Sequence, residues 1–148
     1  TSGTNIAACV LETERLALQV HQRKTQGFIV DYTTYYYETT SAQEAHYLCA
    51  LLNTPHVNDA IKTFQSAGTF GERDIHRTPF EACAIPPFTG TDARHVELAR
   101  LSQEAHSDLQ NILEGGKKFS LTKLRSKARG TVTEKLARMD QLAREVVG

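Results

Sequence analysis

The chain has 148 residues, enough for one ordinary domain, and 40% of them are hydrophobic and 23% charged. This composition is typical of a globular protein rather than a disordered one. Lysine plus arginine and aspartate plus glutamate both number 17, so the formal net charge is zero. Electroneutrality argues against a histone-like binder of polyanions, but it does not exclude a local basic patch. No apolar run reaches the roughly 20 residues that cross a bilayer, and no signal-peptide pattern is seen.

The cysteines and the first residues indicate the setting of the chain. Cys9, Cys49 and Cys83 lie far apart, are odd in number and lack CxxC spacing. We interpret them as reduced thiols of a cytosolic protein rather than a disulfide framework or a zinc site. The sequence begins Thr-Ser-Gly and its single methionine is Met139. We therefore expect it to be a piece of a longer protein.

Three stretches near the start predict β-strands. Ile6 to Leu11 and Leu16 to His21 are short and apolar-rich, and Phe28 to Glu38 is dense in Tyr, Thr, Val and Ile. Those residue types suit a pleated, half-buried surface. We expect the tyrosines at 35–37 to be packing residues in the third strand.

A helical pair is predicted next. Ser41 and Glu44 match the S-x-x-E capping box, which is followed by an apolar stripe at helical spacing. Thr54-Pro55 marks a break and a restart, because proline is favoured at the first helical position. The second, shorter helix ends before Gly68.

A helical hairpin is predicted at the end of the chain. Residues 92–114 carry a long apolar stripe that terminates at Gly115-Gly116. Thr131 and Glu134 form a second capping box and predict the start of the last helix. The basic stretch 117–129 between them reads as a linker.

The order of these elements predicts an α+β fold with a small mixed or antiparallel sheet, a supporting helical pair and a C-terminal helical hairpin. We expect residues 1–90 to form an α+β unit and residues 91–148 a helical hairpin packed on the same unit.

The loop from Gly68 to Phe88 is the most informative part of the sequence. Its glycines allow a close backbone approach, its prolines forbid a continuing helix, and it carries forked and switchable donors. Contact with a ligand, a local structural role and acid–base chemistry of His76 with Asp74 or Glu72 all fit the pattern. The candidate binding residues are Arg73, His76 and Arg77, and the candidate loop-shaping residues are Gly68, Phe70 and Gly71.

The stretch 117–129 holds six basic residues and no acidic one. A solvated linker and a phosphate-contacting patch both fit it. The patch would consist of Lys117, Lys118, Lys123, Arg125, Lys127 and Arg129.

Two other sequence patterns are weaker indications of a functional site than the loop and the basic stretch. Ile85-Pro86-Pro87-Phe88 is similar to the active-site motif of amino-group DNA methyltransferases, but isoleucine cannot accept a hydrogen bond through its side chain, so we predict a structural turn. His46, Cys49 and His56 suggest a metal site that lacks a fourth ligand. We predict no metal and no catalytic residue in this chain.

Taken together, four runs resemble a known protein family. They are YYYET at 35–39, EAHYLCALLNTP at 44–55, FGERDIHR at 70–77 and IPPF at 85–88. The set is similar to the C-terminal target-recognition, or specificity, region of large adenine-specific DNA methyltransferases of restriction–modification systems, type II enzymes among them. In that family a leucine-rich "LLN-S/T-P" helix precedes a glycine-containing loop and an "IP-x-F" turn.

The resemblance implies a non-catalytic, sequence-specific DNA-recognition domain. Its implied partners are double-stranded DNA and the catalytic methyltransferase domain of the parent chain, which would bind S-adenosylmethionine and flip out the adenine. It also implies a prokaryotic cytoplasmic location and no membrane contact. Arg73, His76 and Arg77 would face the DNA, and the 117–129 cations would contact its backbone. The hairpin could also form a homodimer.

The sequence is also compatible with two functions other than DNA recognition. One is a protein-interaction or scaffold module of a larger enzyme, whose helical hairpin packs on a partner. The other is a small hydrolase using His76, for which no nucleophile is recognisable.

Overall fold

The computed structural model describes residues 6–12, 19–20, 23–24, 35–62, 81, 83–115 and 119–148. Four helices make up most of this part of the chain: α1 (Ala42–Leu52), α2 (Pro55–Lys62), α3 (Ala93–Gly115) and α4 (Leu121–Val147). Two short strands, β1 (Gln19–Val20) and β2 (Arg23–Lys24), pair antiparallel, with Gln19 opposite Lys24 and Val20 opposite Arg23.

The prediction of an α+β fold is wrong, because the described architecture is helical and its β-structure is limited to two-residue strands. Ile6 to Leu11 has no strand partner and lies against helices. The described end of the third predicted strand has no regular structure, and its tyrosines at 35–37 are 64–69% exposed. Tyrosine and threonine favour strands only where a neighbouring strand and a half-buried face exist for them to pack on. Residues 28–34 lie outside the described part.

The start of α1 follows the predicted cap, with one difference. The Ser41 hydroxyl accepts a hydrogen bond from the Glu44 amide at 3.2 Å. The Glu44 carboxylate does not complete the reciprocal box, because it accepts from the hydroxyls of Thr39 and Tyr37 instead. The Ser41 amide donates to the Thr39 hydroxyl at 3.0 Å. The helix therefore begins where the sequence indicates, with one extra residue in its cap.

The last helix begins eleven residues earlier than predicted. Ser120 is the N-cap, and its hydroxyl accepts from the Lys123 amide. The stretch 121–129 is thus helix rather than linker, which its Leu, Lys, Arg and Ala content favours. Thr131 lies inside α4, where the Thr131–Glu134 pattern caps nothing.

The hydrophobic core joins both halves of the described chain. α1 packs mainly on α3, α3 packs on α4, and α2 contacts α4. α3 and α4 run antiparallel: the Lys135 amine lies 2.8 Å from an Asp108 carboxylate oxygen, and the Arg94 guanidinium donates to the Glu145 carbonyl oxygen at 2.9 Å. The largest fully buried side chains are those of Tyr47, Leu51, Thr54, Val57, Ile61 and Leu98.

The segment Ile85–Phe88 closes one end of this core. It has no regular structure, and the turn lies just before it at Cys83–Ala84, where Ala84 has φ 47°, the left-handed region that an alanine seldom adopts. The Tyr47 hydroxyl donates to the Pro86 carbonyl oxygen at 3.0 Å, and the Tyr47 ring packs on Phe88 with centroids 5.6 Å apart. The segment thus joins α1 to the start of α3.

Within the described residues, the structure contains no helix with both the length and the apolar content needed to cross a membrane.

Candidate nucleic-acid interface

The structure describes four of the predicted DNA-contacting residues. They are Lys123, Arg125, Lys127 and Arg129, all exposed on the first third of α4; we call these four the basic end of α4. The remaining candidates lie outside the described residues: Gly68, Phe70, Gly71, Arg73, His76, Arg77, Lys117 and Lys118.

The basic end of α4 projects from two sides of the helix. At 3.6 residues per turn, Lys123 and Lys127 lie within about 40° of each other, and so do Arg125 and Arg129. The two pairs are about 200° apart around the axis. Leu124 and Ala128, which are less exposed than these cations, lie between them. The four charges therefore surround the outer part of the helix rather than forming a flat patch.

An aromatic ring fixes the lysine pair. The Lys123 and Lys127 amines lie 4.7 Å and 5.4 Å from the centroid of the Phe119 ring. Such contacts are worth about 0.5–1 kcal/mol at exposed sites, and they hold the lysine stems against the hairpin turn while the charges stay accessible.

These four cations differ from most of the others in the described chain. Five other lysines and arginines contact carboxylates within 4.0 Å: Lys62 with Asp59, Arg94 with Asp92, Arg100 with Glu97 and Glu104, Lys135 with Asp108, and Arg144 with Asp140. Arg138 donates instead to the neutral Gln141 Oε1 at 2.7 Å. In the described part of the chain, no carboxylate lies at ion-pair distance from Lys123, Arg125, Lys127 or Arg129. No acidic residue occurs between Glu114 and Glu134.

The position of this charge also opposes the helix dipole. The amino end of a helix carries a partial positive charge, so acidic side chains are favourable there and basic ones are not. The first turn of α4 holds no acidic residue, and Lys123 lies in that turn. Each like charge near a helix end costs a few tenths of a kcal/mol or more. A local rule broken without internal compensation is a feature of functional surfaces.

Two side chains of the suggested metal site, His46 and Cys49, make other contacts, and His56 is bonded through its main chain. The His46 Nδ1 lies 3.2 Å from the Ser102 hydroxyl, the Cys49 thiol donates to the Ala8 carbonyl oxygen, and the His56 amide donates to Asp140. Burial lowers the pKa of His46, and it raises the pKa of the Cys49 thiol to about 11. Within the described residues, no three His, Cys, Asp or Glu side chains are grouped so that they could hold a metal ion.

No family model, no curated protein and no solved structure matches this chain. Its functional interpretation therefore depends on its own residues and on the motif resemblance described above.

One group of polar residues has no sequence signal. Asn53, Asn58 and His106 hold the segment 6–10 against α1, α2 and α3 by accepting hydrogen bonds from its main-chain amides. Their partners lie 45 to 96 residues away in sequence, so no local pattern could have identified them.

Proposed function

We propose that this chain binds double-stranded DNA and that the basic end of α4 contacts its phosphates. The observation that carries the proposal is that these four consecutive cations have no carboxylate partner among the described residues, whereas Arg94, Arg100, Lys135 and Arg144 on the rest of the hairpin do. A chain with zero net charge that concentrates unpaired positive charge at one end of one helix can bind a polyanion locally without being basic overall.

The arrangement around the helix suits a groove better than a flat surface. An α-helix with its side chains is about 10–12 Å wide, and the major groove of B-DNA is about 12 Å wide. A helix that enters the groove has a phosphate backbone on each side. The lysine pair and the arginine pair, about 200° apart, would reach one backbone each.

The helix terminus adds to the same interaction. Amide groups at the amino end of a helix and their partial positive charge favour phosphate. The arrangement that destabilises α4 on its own therefore becomes favourable once a phosphate backbone is bound.

We further propose that the chain is the target-recognition part of an adenine-specific DNA methyltransferase. The resemblance of four separate runs to that family supports this, and these residues provide positioning rather than chemistry. In this proposal Arg73, His76 and Arg77 read base edges, and methyl transfer belongs to a separate catalytic domain that holds S-adenosylmethionine. Arg73→Ala should then cost about 1–3 kcal/mol at the cognate site and much less on other sequences.

The test is a salt titration of binding to a short DNA duplex. Lys123→Gln/Lys127→Gln should lower the slope of log K against log salt by about two units, because each phosphate contact contributes about 0.9. Arg125→Gln/Arg129→Gln should do the same. Glutamine keeps the helix propensity of lysine and arginine.

A matched control removes equal charge from the same hairpin. Arg100→Gln/Arg144→Gln also deletes two cations, but both are paired with carboxylates on their own helices. We expect this variant to change the slope little. An equal effect of all three double variants would reduce the interaction to net charge, and salt-independent binding by the unmodified chain would refute the proposal.

A second function, protein interaction, is favoured by two side chains at the same end of the hairpin. Leu113 and Leu121 are each 63% exposed, and exposed aliphatic residues beside a polar rim are typical of contact surfaces. In this alternative the hairpin forms a homodimer or docks on another part of a larger enzyme. Leu113→Gln/Leu121→Gln, which removes apolar surface without adding charge, would then abolish association in sedimentation without changing the salt slope of DNA binding.

A further inference from the structure

His106 on α3 binds the segment 6–10 through one of its two ring nitrogens. Its Nε2 accepts a hydrogen bond from the Val10 amide at 3.1 Å, and its Nδ1 lies 2.8 Å from the Ser102 carbonyl oxygen. A backbone amide only donates and a carbonyl oxygen only accepts, so Nδ1 carries the ring proton and Nε2 presents its lone pair to Val10. The two partners together require a neutral imidazole.

A second proton on this ring is incompatible with the Val10 hydrogen bond. The proton would bind at Nε2, and two N–H groups would then face each other across the 3.1 Å between the nitrogens. Histidine is the side chain that ordinarily gains its proton between pH 5 and pH 8, and the half-buried ring of His106 is within reach of solvent. Proton uptake by His106 and its contact with Val10 therefore exclude each other.

The other bonds of the segment do not change in the same pH range. The Ile6 amide donates to Asn58 Oδ1 at 2.6 Å. The Ala8 amide donates to Asn53 Oδ1 at 3.1 Å, and the Ala8 carbonyl oxygen accepts from Asn53 Nδ2 at 2.8 Å and from the Cys49 thiol. Carboxamides do not titrate, and burial raises the pKa of the Cys49 thiol to about 11. Acidification thus acts on one end of the segment and leaves the other attached.

Two titratable side chains face His106 from neighbouring parts of the fold. The His46 ring on α1 meets it edge-on, with centroids 5.1 Å apart, and Glu12 lines the same cleft as both rings. Burial and, less strongly, His106 lower the pKa of His46, whereas Glu12 raises it. Burial thus disfavours a proton on His46, while the Glu12 carboxylate favours positive charge in the cleft. The half-buried ring of His106 is the more accessible of the two for a proton.

The nearest charged residues on α3 point to the other side of that helix. Glu104 and Asp108 are each two residues from His106, which places them about 200° away around the axis. Glu104 is paired with Arg100, and Asp108 with Lys135 of α4. These ion pairs therefore lie between α3 and α4 or on the outer surface, away from the segment.

The Val10 end of the segment borders open space. A cleft of about 380 Å³ separates residues 10–12 from α3, where its lining includes His46, Gln103 and Gln110. Val10 is half-buried, and Leu11 is 47% exposed. This end can therefore move away from α3 without uncovering a large apolar area.

We propose that His106 is a pH-sensitive latch: a proton bound at Nε2 breaks the bond to the Val10 amide and releases the end of the segment 6–10, while Asn53 and Asn58 keep its beginning attached. The latched form binds one proton fewer than the released form. Acidification therefore favours release, by up to about tenfold in the equilibrium constant per pH unit. Release widens the cleft and exposes the His46 ring that lines it, and it is independent of the DNA contact proposed for α4.

The test is hydrogen exchange of single amides in the full 148-residue chain, followed by NMR from about pH 7.5 to about pH 5.0. Each rate is compared with that of an unstructured chain at the same pH, so the intrinsic pH dependence of exchange cancels. The protection of the Val10 amide should fall about fivefold or more, the loss expected when a partly buried donor has no acceptor. The amides of Ile6 and Ala8 should keep their protection.

Two variants identify the residue that takes up the proton. His106→Gln keeps a side-chain acceptor but cannot titrate, so the protection of Val10 should no longer depend on pH. The matched control is His56→Gln, which removes a half-buried histidine on α2 and should leave the pH dependence at Val10 unchanged. Constant protection of Val10 in the unmodified chain, or an equal fall in His106→Gln, would overturn the proposal. So would a joint loss of protection at Ile6, Ala8 and Val10.

A measurement on the unmodified chain covers the case in which His106→Gln does not fold. Nitrogen NMR of the His106 ring should show a protonated Nδ1 and an unprotonated Nε2 at high pH. On acidification, protonation of Nε2 should run parallel to the loss of protection at Val10. A His106 ring that becomes fully protonated while the Val10 amide stays protected would also overturn the proposal.

Discussion

Tyr47 provides the sharpest test of how the core is held together. It is fully buried, its hydroxyl donates to the Pro86 carbonyl oxygen, and its ring centroid lies 4.5 Å from that of His95. Burial, with a smaller contribution from Asp92, raises the pKa of Tyr47 from 10.0 to about 12. The folded protein therefore keeps this hydroxyl protonated at a pH where the unfolded chain releases the proton.

The size and sign of the effect follow from linkage. Above its ordinary pKa the tyrosine loses its proton more easily in the unfolded chain, so the free energy of unfolding falls as the pH rises. The difference of about two pKa units corresponds to about 2.7 kcal/mol, present below pH 10 and lost by about pH 12. The tyrosinate absorbance of Tyr47 should appear together with the loss of helical circular dichroism.

Tyr47→Phe separates this residue from other alkaline effects. At neutral pH it should cost about 1–3 kcal/mol in urea unfolding, because the Pro86 carbonyl loses its donor. Between about pH 10 and pH 12 it should lose about 2–3 kcal/mol less than the unmodified chain. Parallel losses in the two proteins would refute the reasoning, since lysine and the remaining tyrosines titrate in both.

Three other changes test separate features. Gly130→Ala should raise the free energy of unfolding by about 0.5–1 kcal/mol in urea melts, because Gly130 is helical and a Cβ there meets nothing within 4 Å; a loss would indicate that α4 is not continuous. Ser120→Ala should lower the free energy of unfolding by about 0.5–2 kcal/mol in the same assay, because it removes the hydroxyl that caps α4 by accepting from the Lys123 amide. The control Ser126→Ala, on the exposed side of α4, should change that free energy little. Burial lowers the pKa of His46, so on acidification His46 is protonated in the unfolded chain before it is protonated in the folded protein. The free energy of unfolding should therefore fall below about pH 6.5, by up to about 1.4 kcal/mol per pH unit. His46→Gln should flatten that pH dependence, and an unchanged slope in this variant would contradict the assignment to His46.

Much of the helical half could be predicted because its signals are local. Ser41 caps α1, Pro55 begins α2 and α3 ends at Gly115, and each of these boundaries depends on residues within one helical turn. The predicted start of α4 was wrong because Thr131 and Glu134 match a capping box but lie inside a helix that begins after Ser120. A capping motif indicates where a helix can start, but it does not show that the preceding residues are not helical.

Ile6 to Leu11 and the described end of Phe28 to Glu38 do not form the predicted strands for a different reason, whereas β1 lies within the predicted strand Leu16 to His21. The tyrosines at 35–37 have a high intrinsic preference for strands, yet that preference expresses packing on neighbouring strands, which a single sequence does not reveal. Ile6 to Leu11 forms no strand, because the main-chain amides of Ile6, Ala8 and Val10 bond to side chains of Asn58, Asn53 and His106 rather than to another strand.

In the candidate site, too, local sequence features could be predicted and contacts between distant residues could not. The run of cations at 117–129 was evident from the sequence, whereas their distribution around α4 required the start of that helix. The pairing of other cations, such as Lys135 with Asp108 across the hairpin, depends on contacts between helices that no periodicity predicts.

The three cysteines of the chain differ in accessibility, which makes one of them a useful handle. Cys9 is exposed, and Cys49 and Cys83 are buried with thiol pKa values raised by that burial. A maleimide dye applied near neutral pH will therefore label position 9 first, on the outward face of the segment 6–10. Labelling at the other two positions will report opening of the core, so a single reagent can follow detachment of the segment and global unfolding on different timescales.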